Sequence, residues 1–369
     1  MVLFRKVSFA LILVLVFVLP FYTHFYIRLG FAIALVFLLC SDVINKRTFR
    51  VTWQEVMLFL MMVLAVIYVV VGKSYAQSSA GNQILLYGTP FLLLLCIRRV
   101  WRKSYEWLWL GYSYLAGCAI SATILIQNWI SGTSGFDDRF TVEGINANFV
   151  SYSLATGVAI GLILTLFSRS KMFTNLIALV IMFLSVGIIL SGTRGAIISV
   201  LAVLFVYYSL QVGRRPLKMF LSLVTTVTIG IILFSLIPEE ITSRVLNNSS
   251  DDVSSGRYDL WSSGLSLVLE KPIAGYGIDF FPSQITNGIR VHNVFLDVLI
   301  EFGLIGFMLY STVMFYLIFM KNKSKEIKRA RLLFIVSWVP IAMTGAWEYS
   351  IAPWFVLAWL SRMPVLFES

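Results

Sequence analysis

Apolar runs of about 20 residues, divided by short polar segments, recur along the whole chain. As an α-helix, a run of that length crosses the roughly 30 Å hydrocarbon core of a bilayer, whereas a transmembrane β-barrel would show short segments of alternating polarity. The pattern predicts an all-α polytopic membrane protein with about twelve transmembrane helices, or ten to twelve because the second and the last two runs are short. The predicted spans are residues 7–22, 27–41, 54–71, 83–97, 105–128, 149–168, 174–191, 195–212, 219–237, 292–320, 332–347 and 351–362.

The composition of the chain is that of a membrane protein. Hydrophobic residues make up 59% of the 369 residues, charged residues make up 13%, and the mean hydropathy is +0.87, whereas soluble domains carry about 25% charged residues. Arg5 and Lys6 before an apolar run resemble a signal peptide, but no small-residue cleavage motif follows Pro20. We therefore expect an uncleaved first span and a single transmembrane domain over residues 1–369.

The basic residues alternate between the two sides of the predicted spans. The chain has 29 of them, and loops with an excess of Lys and Arg stay cytoplasmic. The poorer side holds only Arg28, Lys73, Arg139, Arg194, Arg244, Arg257, Lys271 and Arg290. The asymmetry predicts that both termini are cytoplasmic and that loop 238–291 faces outward. It also explains the net charge of +11 without nucleic acid as a partner.

The outward loop 238–291 contains a predicted short amphipathic helix. Apolar residues follow Ser254, Ser255 and Gly256 at helical spacing as far as Glu270, and the two serines are suitable N-caps. Arg257 falls in the first turn of this helix, with Trp261 one turn further on the same face. Two readings are open: the helix lies on the bilayer with Arg257 in solvent, or it covers a cavity and Arg257 points inward.

A second arginine lies in a very short turn. The segment 176–208 is apolar except for a few hydroxyls and Ser191-Gly192-Thr193-Arg194-Gly195. As one helix it would measure about 50 Å, too long for one crossing, so we predict a hairpin with this pentapeptide as its turn. An arginine at the membrane surface is costly unless it snorkels or is paired. Arg194 is therefore either an interfacial arginine or a ligand for an anion such as phosphate.

The segments before the sixth and tenth predicted spans carry further candidate residues. His292 is either a cap or surface residue or a general base, since its ordinary pKa lies near working pH; Asn293 could orient the imidazole or the substrate. Arg139 either pairs with Asp137 and Asp138 or joins Asn148 in binding substrate. The three cysteines lie far apart and there are two histidines, so we expect neither a metal site nor a cofactor.

Four motifs occur in order on this topology, within residues 135–320. They are Ser191-Gly192-Thr193-Arg194-Gly195, Gly256-Arg257 with Trp261, Lys271-Pro272 with Gly275 and Gly277, and Val291-His292-Asn293 with Glu301, Gly303 and Gly306. In this respect the chain resembles the O-antigen ligase and polymerase family of bacterial inner-membrane glycosyltransferases. The segment from Arg139 to Asn148 also looks like that family.

The resemblance implies a glycosyltransferase without cofactor or metal, in the inner membrane and with a periplasmic active site. Such enzymes move a glycan from undecaprenyl diphosphate to an acceptor hydroxyl, either on lipid A–core in lipopolysaccharide biosynthesis or on another lipid-linked glycan. Membrane lipids are then the only other expected partners. The residues that the resemblance assigns to catalysis are Arg194, Arg257 and His292, and those assigned to substrate binding are Arg139, Asn148, Trp261 and Asn293.

Ligase and polymerase remain alternatives at this point. The moderate outward loop and the complete set of motifs favour a ligase, whereas an O-antigen or exopolysaccharide polymerase would have a similar sequence. A transporter or flippase is a more distant alternative, because transporters place ionisable residues near the membrane midplane. Here the ionisable residues of the tenth span, Asp297 and Glu301, lie in its first three turns.

Overall fold

The computed structural model describes nine segments of the chain, and it describes isolated positions between 217 and 235. The segments are residues 2–22, 25–46, 51–100, 103–133, 139–168, 170–212, 256–319, 324–345 and 350–361. Within these ranges the chain is α-helical and contains no β-strand; Ser74 and Ile278 form an isolated parallel bridge. A single π-helical turn spans Phe281–Ile285.

The described residues form twelve α-helices. They are α1 (Val2–Val18), α2 (Phe25–Ile44), α3 (Trp53–Val70), α4 (Ala80–Val100), α5 (Ser104–Ile130), α6 (Ala147–Leu166), α7 (Lys171–Leu190), α8 (Arg194–Val212), α9 (Arg257–Glu270), α10 (Val294–Phe319), α11 (Lys325–Ala342) and α12 (Ile351–Ser361).

The prediction of an all-α polytopic membrane protein is confirmed. Among the described residues, eight helices are long and apolar enough to cross a membrane, namely α2 to α8 and α10. With 17 residues, α1 is slightly shorter, α11 begins with charged residues and α12 has 11 residues. All the predicted spans except the ninth coincide with one of these helices. The ninth, 219–237, and the loop residues 238–255 lie largely or wholly outside the described residues.

Helix α6 lies at the centre of the bundle. It packs against α5, α7, α8 and α11, and 89% of its membrane-spanning window is buried inside the protein. Small residues such as Gly157 and Gly161 allow this close packing, because Cys118 and Ile177 lie within 3.3 Å of where their Cβ atoms would be. The first turns of α6 are therefore surrounded by protein, and they border the candidate site described below.

Two ion pairs mark one end of the bundle, which we call the basic end. The guanidinium of Arg5 lies 2.6 Å from Glu106, and that of Arg99 lies 2.9 Å from Glu55. Arg5 also donates through Nε to the carbonyl of Val100, at 3.2 Å. These contacts join the beginnings of α1, α3 and α5 to the end of α4, at the end of the bundle opposite the candidate site.

Helix α10 is broken at Gly303, where the backbone has φ 61° and ψ −160°. A break in a transmembrane helix frees backbone groups, which need other partners inside a membrane. Residues 272–277 supply them. Tyr276 N donates to Ile300 O at 2.8 Å and Leu304 N donates to Pro272 O at 2.8 Å. This segment, here called the strap, therefore completes the hydrogen bonding of the broken helix.

The strap and the break fit together only because both contain glycine. A Cβ on Gly303 would lie 2.3 Å from Ile273 O, and a Cβ on Gly275 would lie 2.6 Å from Ile300 O. Both residues also have a positive φ that side chains disfavour. The Lys271-to-Gly277 motif and the Glu301-to-Gly306 motif are thus two halves of one contact.

The strap and the residue that follows it, Ile278, are also attached to α3 and to the α3–α4 turn. Ile278 N donates to Lys73 O at 3.0 Å, Tyr75 N donates to Ile278 O at 2.9 Å, and the hydroxyl of Tyr68 donates to Ala274 O. The chain that leads into α10 is therefore held between α3 and α10, and the position of residues 290–293 follows from this attachment.

Replacing Gly303 by alanine should separate the strap from α10. The new Cβ would overlap the Ile273 carbonyl, and the alanine would have to keep a φ that it disfavours. We therefore expect the free energy of unfolding to fall by more than about 3 kcal/mol. Gly72→Ala is the matched control, because Gly72 has φ 73° but nothing within 4 Å of its Cβ position; it should cost about 1 kcal/mol. Thermal unfolding in detergent measures both, and equal losses would contradict the proposed overlap.

Candidate functional site

The hairpin predicted around Arg194 is present. Helix α7 ends at Leu190, α8 begins at Arg194, and Gly192 turns the chain with φ 64°. The side chains of Ser191 and Thr193 point into the protein, with 0% and 4% exposure. Arg194 is the first residue of α8 and is half-buried, at the end of the bundle opposite the basic end.

Arg139 ties this turn to the beginning of α6. Its Nε donates to Ser191 O at 2.9 Å, and its terminal nitrogen donates to Asn148 Oδ1 at 2.7 Å and to Thr193 Oγ1. Thr193 also donates to Asn148 Oδ1 at 3.2 Å. The acidic neighbours with which Arg139 could pair, residues 137 and 138, lie outside the described residues. In the described contacts Arg139 and Asn148 form one network with the hairpin turn.

Tyr152 lies one turn further along α6 and joins several parts of the site. Its hydroxyl is 3.1 Å from Thr344 O and 3.0 Å from Thr344 Oγ1, just beyond the end of α11. A Cβ on Gly195 would lie 2.3 Å from Thr344 Oγ1 and 3.2 Å from the Tyr152 hydroxyl. The charges of Arg257 and Arg139 both act on this hydroxyl. Gly195 therefore lies beside the Tyr152–Thr344 pair, and Arg257 is near enough for its charge to act on the same hydroxyl.

The helix predicted within loop 238–291 is α9, and it packs against α10. Arg257 is its first residue, following Gly256 in a left-handed conformation. The indole nitrogen of Trp261 donates to Val291 O at 3.1 Å, and Gly264 is buried against Leu296. One face of α9 thus covers protein and fixes the residue before His292. The other face exposes a row of apolar side chains, namely Tyr258, Leu265 and Leu269.

His292 lies near the arginines in a left-handed backbone conformation. It has φ 53°, a region that few residues other than glycine adopt, although histidine, asparagine and aspartate occur there more often than most. The pKa of His292 lies below its ordinary value of 6.5, because the imidazole is buried and because the positive charges of Arg257 and Arg290 act on it. The imidazole is therefore neutral at pH 7 and is able to accept a proton.

Asn293 acts as the N-cap of α10. Its Oδ1 accepts hydrogen bonds from Phe295 N at 3.1 Å and Leu296 N at 3.2 Å, which leaves the oxygen occupied. The amide nitrogen faces Met343 Sδ at 3.8 Å. Because Met343 precedes Thr344, this contact places the beginning of α10 beside the Tyr152–Thr344 pair. The prediction that Asn293 binds substrate stays a prediction.

The comparisons with known proteins bear on this arrangement. Residues 177–311 match the family model described as O-antigen ligase. This segment is similar to the O-antigen ligase family. The chain is also similar to an uncharacterized protein of Haemophilus influenzae, with 24% identity over 69% of each chain.

The matched segment contains only part of the candidate site. Arg194, Arg257, Trp261 and His292 lie inside residues 177–311, and the resemblance drawn from their motifs is confirmed. Enzymes of this family act on lipid-linked glycans. Arg139 and Asn148 lie before the matched segment, and the structure brings them to it through Ser191 and Thr193.

Sequence reasoning missed three hydroxyl residues of this site, which are Tyr152, Thr193 and Thr344. Thr193 was named only as part of the turn, while Tyr152 and Thr344 stand in apolar segments where hydroxyls usually bond to their own helix. The only signal that could have found Tyr152 is its place one helical turn after Asn148, on the same face of α6.

Arg139→Lys should impair glycan transfer. One ammonium group does not reproduce the fork that reaches Ser191 O, Asn148 and Thr193 together, so we expect a roughly 10-fold or greater loss of rate. Arg5→Lys is the matched control, because Arg5 also binds one backbone carbonyl and one side chain, but at the basic end. Both variants should lower the thermal unfolding midpoint, while Arg5→Lys retains transfer. Equal transfer by the two variants would show that the Arg139 network does not serve the site.

Proposed function

We propose that this protein is a glycosyltransferase that moves a glycan from undecaprenyl diphosphate to an acceptor hydroxyl at the periplasmic face of the bacterial inner membrane. The most specific form of the proposal is an O-antigen ligase with lipid A–core as acceptor. The observation that carries it is that Arg139 and the Arg194 turn form one network with Asn148, while the charge of Arg257 acts on both Tyr152 and His292. The family match independently supports a role in ligation or polymerisation of glycans.

The arginines divide into two roles in this proposal. The guanidinium of Arg139 is engaged with three protein acceptors, so it holds the turn in place. Arg194 is the first residue of α8, Arg257 is the first residue of α9, and both are half-buried. These two arginines bind the diphosphate of the donor. Guanidinium groups match phosphate oxygens in a bidentate manner and are already charged before the reaction begins.

His292 accepts the proton of the acceptor hydroxyl. The acceptor hydroxyl attacks the anomeric carbon of the donor glycan, and its proton passes to the neutral imidazole as the new C–O bond forms. The bond between the anomeric carbon and the diphosphate oxygen breaks, and its electron pair leaves with undecaprenyl diphosphate. Arg194 and Arg257 stabilise the negative charge that develops on that oxygen. Trp261, bonded to Val291 O, keeps the residue before His292 in place.

The acceptor distinguishes a ligase from a polymerase. Both reactions use the same leaving group and the same base, so the described residues serve either one. The experiment combines purified protein, undecaprenyl-diphosphate-linked glycan and one of two acceptors, lipid A–core or a second lipid-linked repeat. A product on lipid A–core supports a ligase, and a ladder of longer lipid-linked glycans supports a polymerase.

Arg194→Ala, Arg257→Ala and His292→Ala should each lower the rate of transfer by roughly 10²-fold or more, because each removes charge stabilisation or the base. Lys328→Gln, an exposed change in α11 towards the basic end, is the control and should transfer at the wild-type rate. Folded wild-type protein that forms no product with either acceptor would contradict the proposal and favour a transporter or flippase.

The pH dependence of transfer should report His292. Its pKa is lowered from 6.5, so the imidazole loses its proton below pH 6.5 and kcat/KM should rise to a plateau with a midpoint under that value. His292→Ala should remove this acid limb as well as most of the activity. A midpoint above pH 6.5 in the wild type would argue against His292 as the base.

A further inference from the structure

Next to His292 lies a partly buried cluster of charges that the proposed mechanism does not use. Arg290 forms ion pairs with Asp279, with Asp297 at 3.1 Å and with Glu301 at 3.9 Å. Asp297 and Glu301 are 0% and 1% exposed. The hydroxyl of Tyr87 donates to Glu301 Oε2 at 2.9 Å. We call these five residues the Arg290 cluster.

The Arg290 cluster joins three elements: the guanidinium of Arg290 bridges Asp279 and α10, and Tyr87 joins through Glu301. Asp279 belongs to the segment after the strap, Asp297 and Glu301 lie one turn apart on α10, and Tyr87 belongs to α4. Asp279 N also donates to Glu301 Oε1 at 3.0 Å, which ties the segment to the helix a second time. Because buried charges are costly unless they are paired and hydrogen-bonded, the cluster favours one arrangement of these elements.

That arrangement determines where His292 lies. Only Val291 separates Arg290 from His292, and Val291 is itself held by Trp261. Asn293 on the other side caps α10. His292 is thus fixed between two anchored neighbours, and its left-handed conformation follows from constraints that lie outside the histidine itself.

We propose that Arg290 is a positioning residue for His292: its bridge between Asp279 and the α10 carboxylates fixes the imidazole towards Arg257 and the acceptor. This inference rests on the proposed function. Arg290 acts in two separable ways. Its forked guanidinium holds the geometry, and its charge acts on the imidazole together with that of Arg257 from α9.

Two substitutions separate these effects. Arg290→Lys keeps the positive charge but loses the fork that reaches carboxylates on two elements. It should lower kcat by roughly 10²-fold, the cost of a small displacement at a reacting centre, with little change in KM for the donor, while the pKa of His292 stays near that of the wild type. Arg290→Gln removes the charge as well, so the pKa of His292 should rise and the acid limb should move to higher pH.

The pKa of His292 can be measured without activity. The chain has two histidines, His24 and His292. An imidazole reacts with diethyl pyrocarbonate only in its neutral form. Mass spectrometry of the protein in nanodiscs measures the rate of modification of each histidine across pH. These rates give the titration midpoints of both histidines, and His24 is the internal reference. Lys73→Gln, which removes an exposed positive charge near the strap, is the matched control and should leave the His292 midpoint and kcat unchanged.

Arg290→Gln leaves buried carboxylates without their cation and risks misfolding. Arg290→Gln with Asp297→Asn removes one charge of each sign; it should fold, show the raised His292 midpoint and still transfer slowly. Wild-type kcat and an unshifted midpoint in the folded Arg290 variants would overturn this inference while leaving the proposed function intact. A wild-type protein that transfers no glycan would overturn the proposed function, and the midpoints would then still show whether the charge of Arg290 acts on His292.

Discussion

The contact between the strap and the broken helix α10 is the constraint on which the rest of the candidate site depends. A helix that breaks inside a membrane must find partners for its freed backbone groups, and residues 272–277 provide them around Gly303. This single contact turns a long loop into part of the bundle. Trp261, Arg290 and His292 all lie on segments whose positions follow from it.

The candidate site is built from parts of the chain that are far apart in sequence. The segment before α6 brings Arg139, the α7–α8 turn brings Arg194, α9 brings Arg257, and the segment that leads into α10 brings His292. The charges of Arg139 and Arg257 act on Tyr152, and Gly195 lies beside Tyr152 and its partner Thr344. Hydroxyl groups suit this position, because they are both donors and acceptors and therefore satisfy surrounding groups without adding charge.

Much of this arrangement could be predicted from sequence, because it depends on local signals. The hairpin followed from an apolar segment too long for one crossing, and α9 followed from helical spacing that ends before Pro272, although its N-cap is Gly256 and not one of the predicted serines. The central position of α6 could not be predicted. An apolar helix that faces protein and one that faces lipid have the same hydropathy, and the sequence pattern does not distinguish them.

Polar and charged residues were harder to interpret than apolar ones. Arg290 was counted only as one charge on the outward side, since the approach of Asp279 and Glu301 to it depends on the break in α10 and on the strap. Asn293 was expected to orient the histidine or the substrate, while its oxygen caps α10. In each case the partner is set by the tertiary structure, and residue type and spacing leave it open.

Four helices, α6, α8, α9 and α10, begin at the candidate site. The peptide dipoles of a helix sum to about half a positive charge at its beginning, so the backbone itself adds a positive field where the diphosphate is proposed to bind. Unlike an imidazole, a peptide dipole does not titrate. Attraction of an anionic lipid is thereby governed by groups that keep their polarity at every pH, and only the proton transfer depends on a group that changes its charge.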